Sequence, residues 1–231
     1  MSERLPLKSY GRRKGKRLSP RKERLLMELL PRLRLDLGRP APRDLTSLFP
    51  APVKQVWLEI GFGSGEHLLG QAEAHRDVGF IGCEPFVNGV ASLLGVIETK
   101  GVEALRLHDG DARDVLSWLP AASIGRAFVL FPDPWPKKRQ SKRRLVAPET
   151  VKALARVMKP GGEFRFASDN GEYASQALLV IKRSGAFRWL AECADDWRER
   201  PTDWPETRYA RKALSEGREP IYLRWRRLWR I

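Results

Sequence analysis

The stretch Gln55–Leu69, QVWLEIGFGSGEHLL, limits the fold more than any other part of the chain. Six residues that suit a strand, Gln55 to Ile60, run directly into Gly61, Gly63 and Gly65, and a helical pattern follows from about Ser64 to Ala74. Glycines at such a junction allow a tight turn and a close approach of backbone to ligand. The alternation then repeats. Strands are predicted at Gly79 to Cys83, Ala104 to Leu107, Ala127 to Phe131 and Glu163 to Ala167. Helices are predicted from about Asn88 to Lys100, from Pro148 to Met158 and over residues 171–183. The second of these stops at Lys159-Pro160-Gly161-Gly162. Repeated units of this length predict an α/β fold with a doubly wound, mostly parallel sheet.

The two ends depart from that rhythm. Ala186 to Ala191 and Ile221 to Trp229 read as two further strands, making seven, around a long insertion rich in Trp and Arg. Closing a doubly wound sheet with a late antiparallel strand is a habit of Rossmann-like class I methyltransferases, and the fold is expected on that analogy. At the other end, residues 1–39 hold thirteen Lys or Arg against four acids. Residues 1 to about 20 read as a mobile basic arm, and a short amphipathic helix (Leu25, Leu26, Leu29, Leu30) should end before Pro31. Pro40, Pro42, Pro50 and Pro52 mark a linker. Residues 1–50 are therefore taken as arm, helix and linker, and residues 51–231 as the main domain.

Composition narrows the partners. The 231 residues carry a formal net charge of +15, with a pI near 10.3. Clustered positive charge on this scale points to a polyanion, usually nucleic acid, and the arm would add sequence-independent phosphate contacts. Cys83 and Cys193 give neither a disulfide framework nor a metal-ligand spacing, which fits a reducing compartment and a site without metal. No apolar h-region follows the basic start, and no stretch approaches the roughly 18 apolar residues of a membrane span. A cytoplasmic monomer or homodimer is expected.

Carboxylates cluster at the predicted strand ends. Glu59 precedes the glycine turn, Glu84 closes the second strand, and Asp111 follows the third in Asp109-Gly110-Asp111-Ala112. A pyrophosphate would be repelled by Glu59, and the dinucleotide fingerprint needs a small residue where Glu66 stands. S-adenosylmethionine has no phosphate, and its ammonium and sulfonium suit an acid. Glu84 stands where an acid can accept from both ribose hydroxyls. Asp111 can accept from the adenine amine while Ala112 donates through its backbone. These features predict a site for S-adenosylmethionine formed by Glu59, Gly61, Gly63, Gly65, Glu84, Asp111 and Ala112.

The fourth strand runs into Phe131-Pro132-Asp133-Pro134-Trp135-Pro136, and of the next eight residues, Lys137 to Arg144, six are Lys or Arg. Asp133 sits where it can face the cofactor, in a loop similar to the (Asp/Asn)-Pro-Pro-aromatic loop of amino-group and base methyltransferases. Trp135 is equally suited to stacking on a base and to packing the turn. The segments Leu58 to Gly65, Pro132 to Arg144, Ala167-Ser168-Asp169-Asn170 through Tyr173, and Thr207-Arg208-Tyr209 together resemble the bacterial tRNA (guanine-N7)-methyltransferases. The match covers about residue 50 onward, with four separated motifs in the right order. The resemblance implies methyl transfer from S-adenosylmethionine to N7 of a guanine in the tRNA variable loop (position 46 in tRNA convention). It implies that Asp133 joins the cofactor site, and that Lys137, Asp169, Thr207, Arg208 and Tyr209 touch the guanosine. The catalytic role, a fixed carboxylate that stabilises the cation developing on the purine, is assigned to Asp133, with Asp169 as the second candidate. Arg139, Lys142, Arg143 and Arg144 would meet the tRNA backbone. Three residues depart from the family pattern: Gln140 stands for His, Ser168 for Thr, and Ala210 for the acid that follows Thr-x-Tyr.

Guanine N7 has an in-plane lone pair, so the reaction asks for alignment and charge stabilisation rather than a base. The competing readings are another RNA base N-methyltransferase, acting on rRNA or an exocyclic amine, and a non-catalytic RNA-binding protein with a decayed cofactor site. An NAD-dependent oxidoreductase is disfavoured by Glu59 and Glu66.

Overall fold

The computed structural model describes residue 11 and residues 13–229. The first ten residues of the expected arm, with Arg12, lie outside the described residues. Three short elements lead in: helix α1 (Pro20–Glu28), helix α2 (Leu30–Leu33) and a 3-10 turn at Leu45–Leu48. The alternating body is β1 (Gln55–Ile60), α3 (Glu66–Ala74), β2 (Val78–Cys83), α4 (Val87–Lys100), β3 (Leu105–His108), α5 (Ala112–Trp118) and β4 (Ile124–Leu130). A second 3-10 turn at Lys138–Arg143 leads to α6 (Pro148–Val157), β5 (Met158–Ser168) and α7 (Gly171–Ser184). Then come β6 (Phe187–Trp189), α8 (Asp195–Arg198), α9 (Arg208–Ser215) and β7 (Ile221–Arg227).

The seven strands form one sheet in the order β3-β2-β1-β4-β5-β7-β6. The pairings from β3 through β5 are parallel, while β7 runs antiparallel to both β5 and β6. Successive side chains of a strand point to opposite faces. On one face Val56, Leu58 and Ile60 of β1 pack with Val115, Leu154, Tyr173 and Ile181 from α5, α6 and α7. On the other, Trp57 packs with Leu68, Leu69, Leu93 and Ile97 from α3 and α4. Full burial of one such side chain contributes about 1.5–3 kcal/mol, so the two layers fix which way every strand end points.

The N-terminal boundary differs from expectation. Leu25, Leu30 and Leu33 belong to the second of these apolar layers, and Leu35, Leu45 and Phe49 to the first. Packing therefore continues well before residue 50. Helix α1 ends at Glu28, before Pro31 as expected, and Pro31 then occupies the first turn of the short α2, where its missing N–H costs nothing. Residues 13–16 are also held. Val87 N–H donates to Arg13 O (3.0 Å), Gly15 N–H to Asn88 Oδ1 (2.7 Å), and Asn88 Nδ2 to Lys16 O (2.7 Å). This part of the expected arm is pinned to the start of α4. Helix α5 is an element the sequence reading lacked. Among the described residues, no helix is long and apolar enough to cross a membrane.

Candidate active site

The strand order reverses beside β1, which pairs with β2 on one side and β4 on the other. Open α/β sheets bind ligands at such a switch point, beyond the carboxyl ends of the strands. A cavity of about 340 Å³ lies there, lined by Gly61, Gly63, Glu84, Asp111, Ala112, Asp133, Trp135 and Tyr209 among others. The glycine turn, the acids after β2 and β3, and the loop after β4 thus share one space.

All three glycines of the turn adopt left-handed backbone, with φ of 79°, 57° and 83° at Gly61, Gly63 and Gly65. Only glycine takes that conformation without strain. The turn is fastened to β2 by Glu84: Gly63 N–H donates to Oε2 (2.7 Å) and Phe86 N–H to Oε1 (2.9 Å). Burial raises the Glu84 pKa above the ordinary carboxylate value, and these two backbone donors oppose the shift. Helix α4 comes close beneath, for a Cβ at Gly89 would stand 2.3 Å from Gly63 O. Gly65 does not face the cavity. It caps α3, and a Cβ there would meet Leu93 Cδ1 at 2.5 Å, so its role is to bring helix and turn together.

Glu59 lines a small adjoining pocket and not the main cavity. It shares a sheet face with Trp57, so its side chain turns toward α3, where Oε2 lies 2.7 Å from His67 Nδ1. Only 3% of Glu59 and 2% of His67 is exposed. The pair borders a small pocket of about 20 Å³ that also touches Gly61, Ser64, Thr207 and Tyr209. Asp111 caps α5, accepting from Arg113 N–H (3.0 Å) and pairing with the Arg113 guanidinium (3.1 Å), while it lines the main cavity.

The loop after β4 is built stiff. Pro132, Pro134 and Pro136 fix φ on alternate residues, and Phe131 and Trp135 take left-handed φ of 50° and 43°. Such backbone costs about 1–3 kcal/mol per residue and clusters at functional sites. Asp133, between the two strained residues, lines the cavity and is exposed. The Arg143 guanidinium sits 4.9 Å from the centre of the Trp135 ring, on the same cavity wall. Arg139 and Lys142 are exposed on the neighbouring turn, as is Lys137 before it.

Arg144 overturns the expectation that it meets tRNA phosphate. It is 2% exposed, and its guanidinium donates to Pro134 O (2.7 Å), Trp135 O (3.4 Å), Glu172 Oε1 (2.9 Å) and Gln176 Oε1. The reason is local: Val146 lies in the core with Leu145 packed against it, and the charge is drawn in against the Tyr173 ring, 5.1 Å away.

Of the remaining expected residues, Tyr209 lines the main cavity and Thr207 borders the small pocket. Tyr209 reaches the main cavity from α9: a Cβ at Gly63 would lie 3.3 Å from its ring, and the ring stacks near Phe131, with centroids 6.4 Å apart. Thr207 caps α9, accepting from Ala210 N–H (3.2 Å). Arg208 is held by Glu66, through its N–H (2.6 Å) and its Nε (2.8 Å). Asp169 pairs with Arg218 (2.8 Å). Among the residues of the cavity wall, Phe86, Arg113 and Leu145 were not legible as such. Asp111 itself was a signal for a helix start, since Asp is favoured at the N-cap.

Sheet order, switch-point cavity and acid-rimmed glycine turn define a class I methyltransferase. The resemblance to solved structures agrees. The 16S rRNA methyltransferase KamB superposes with a TM-score of 0.55 at 15% identity, over 82% of this chain and 95% of that one. The aminoglycoside resistance methyltransferase NpmB1 gives 0.54 at 16%, over 77% and 89%. A family described as "Putative methyltransferase" matches residues 53–223. Curated relatives are far nearer. The tRNA (guanine-N(7)-)-methyltransferase of Rhizobium meliloti (strain 1021) is 52% identical over 218 residues, 94% of either chain. That of Chelativorans sp. (strain BNC1) is 50% identical over 96% of this chain and 98% of its own. The chain belongs to the tRNA (guanine-N(7)-)-methyltransferase family.

Proposed function

We infer that the protein transfers the methyl group of S-adenosylmethionine to N7 of a guanine in tRNA, within the variable loop. The observation that supports this reading is that Gly63, Glu84 and Asp111, assigned to the donor, line the same cavity as Asp133 and Trp135, assigned to the base. The residues fit the donor. Left-handed Gly61 offers bare backbone to the cavity, with nothing within 4 Å of a Cβ built there. Glu84 keeps unused lone pairs on both oxygens for ribose hydroxyls, since each accepts a single backbone N–H. Asp111 and the Ala112 backbone suit adenine, and Glu59, in the adjoining small pocket, suits the ammonium end. When bound, S-adenosylmethionine supplies a methyl group already activated on a sulfonium.

The chain's own task is then alignment. The stiff loop holds the Asp133 carboxylate at a fixed height in the cavity, where it can accept from guanine N1 or N2. Positive charge builds on the purine as N7 is methylated, and a preorganised carboxylate stabilises it without reorienting. N7 carries no proton, so Asp133 takes none. Lys137 and Asp169 are assigned as contacts for the guanosine, Tyr209 lines the cavity beside Gly63, and Arg139 and Lys142 suit the tRNA backbone.

The test is incubation of labelled S-adenosylmethionine with bulk tRNA, followed by nucleoside mass spectrometry and mapping of the modified position. N7-methylguanosine in the variable loop is expected. Label in another base, or in rRNA alone, would replace this reading with that of a different RNA base methyltransferase.

A further inference from the structure

Six basic residues follow the Pro-Asp-Pro-Trp-Pro loop, and one of them is chemically unlike the rest. Arg144 lies inside the protein with its guanidinium shared between two structures that flank the cavity. Nε and Nη2 reach the carbonyls of Pro134 and Trp135, the two residues after Asp133. Nη1 and Nη2 reach Gln176 and Glu172, on successive turns of α7. The same helix begins at Asn170, whose side chain accepts from Tyr173 N–H (2.8 Å), directly after Asp169. Tyr173, beneath the guanidinium, accepts from Val146 N–H through its hydroxyl (3.0 Å). One planar cation therefore links the loop bearing Asp133 to the helix whose first turn follows Asp169.

We propose that Arg144 is a positioning residue for methyl transfer, setting the height and tilt of the Asp133 loop relative to the start of α7. Three features favour this over simple core filling. Its hydrogen bonds to Pro134 and Trp135 go to main-chain carbonyls, so they fix backbone rather than another side chain. The loop it holds contains two strained residues, Phe131 and Trp135, which relax unless something over-determines them. The fork of donors is also specific to arginine; lysine carries the same charge but cannot reach two carbonyls and two side-chain oxygens from one plane. The inference rests on the assignment of this cavity to methyl transfer from S-adenosylmethionine to tRNA guanine.

The experiment compares wild type, Arg144→Lys and Glu172→Gln in steady-state methylation, with tRNA binding measured across a salt series. Arg144→Lys should lower kcat about tenfold to a hundredfold, because small misplacements of a positioning group have effects of that size. The KM for tRNA should stay within about twofold and the salt slope should not change, since a buried cation releases no counterions from RNA. Glu172 is exposed, so Glu172→Gln tests the same clamp without risk to folding, and a drop in kcat of a few-fold is expected. A lost phosphate contact would instead leave kcat at saturating tRNA intact while flattening the slope, and that result overturns the proposal. If Arg144→Lys does not fold, Glu172→Gln decides alone, and wild-type kcat in it overturns the proposal. Wild type that makes no N7-methylguanosine would mean the assignment of the cavity fails, which is a distinct outcome.

Discussion

Two carboxylates in this site are expected to fail differently when altered. Asp133→Asn keeps the shape of the loop but removes the charge facing the guanine. Methyl transfer should fall about 10²–10³-fold, the usual loss when one preorganised electrostatic contact goes, with tRNA affinity by filter binding within about threefold. Near wild-type turnover would rule out charge stabilisation by Asp133. Glu84 is a question of protonation. Its folded pKa lies above the ordinary value of 4.5, because of burial. The folded chain thus keeps this proton to higher pH than the unfolded chain, so the stability linked to Glu84 is full below 4.5 and is lost as pH rises through the folded value. Ribose binding runs the other way, since it needs the carboxylate. Calorimetric affinity for S-adenosylmethionine should weaken on acidification before pH reaches the ordinary carboxylate range, and Glu84→Gln should be weak throughout without that pH dependence. At this scale the sequence told which residues were polar and where they fell between strands. It did not tell direction. Glu59 and Arg144 were read by neighbourhood in the chain, whereas the alternation of strand faces turned one toward His67 and the apolar pair Leu145 and Val146 drew the other inward.

Strands and long helices were legible because period and punctuation agreed. The bounds of β1 match the expected Gln55 to Ile60, and helix α7 differs from expectation by one residue. Helix α5 escaped because it is seven residues long and its cap, Asp111, had been given a ligand to hold. Both roles are compatible, since each oxygen accepts a single hydrogen bond from Arg113 and keeps a further lone pair. Element-level packing also makes a prediction. Gly89→Ala places a methyl 2.3 Å from Gly63 O, a backbone clash that no side-chain movement relieves. Helix α4 and the glycine turn must separate, and S-adenosylmethionine affinity should drop at least about tenfold, equivalent to about 1.4 kcal/mol. Unchanged affinity would show that the turn is softer than its contacts imply. On the exposed 3-10 turn, replacing Arg139 and Lys142 together with Gln should leave kcat intact. The log–log salt slope of tRNA binding should flatten by about one to two; an unaltered slope would place the RNA on another face.

The whole molecule is one packing unit from Leu25 onward, which the prolines at 40, 42, 50 and 52 concealed. Proline marks the absence of regular structure, not of burial: Leu45 and Phe49 lie in the core between those prolines. Leu30→Ala should therefore cost about 2–5 kcal/mol and lower Tm by roughly 5–15 °C. Met27→Ala, at a residue 76% exposed, should leave Tm unchanged. Equal behaviour of the two variants in a thermal melt would restore the picture of a detachable N-terminal segment. The strand order has a further consequence, for synthesis. Strands β1 to β4, which with their following loops carry the glycine turn and the acids Glu59, Glu84, Asp111 and Asp133, leave the ribosome early. Strand β6 has no neighbour in the sheet except β7, and β5 keeps an open edge until β7 arrives. The sheet is thus completed out of order, by insertion of its latest strand between two earlier ones. A nascent chain holds most of a binding cavity while still exposing an unpaired, apolar strand edge. For that interval the growing chain presents an edge open to other chains, and only the arrival of β7 closes it.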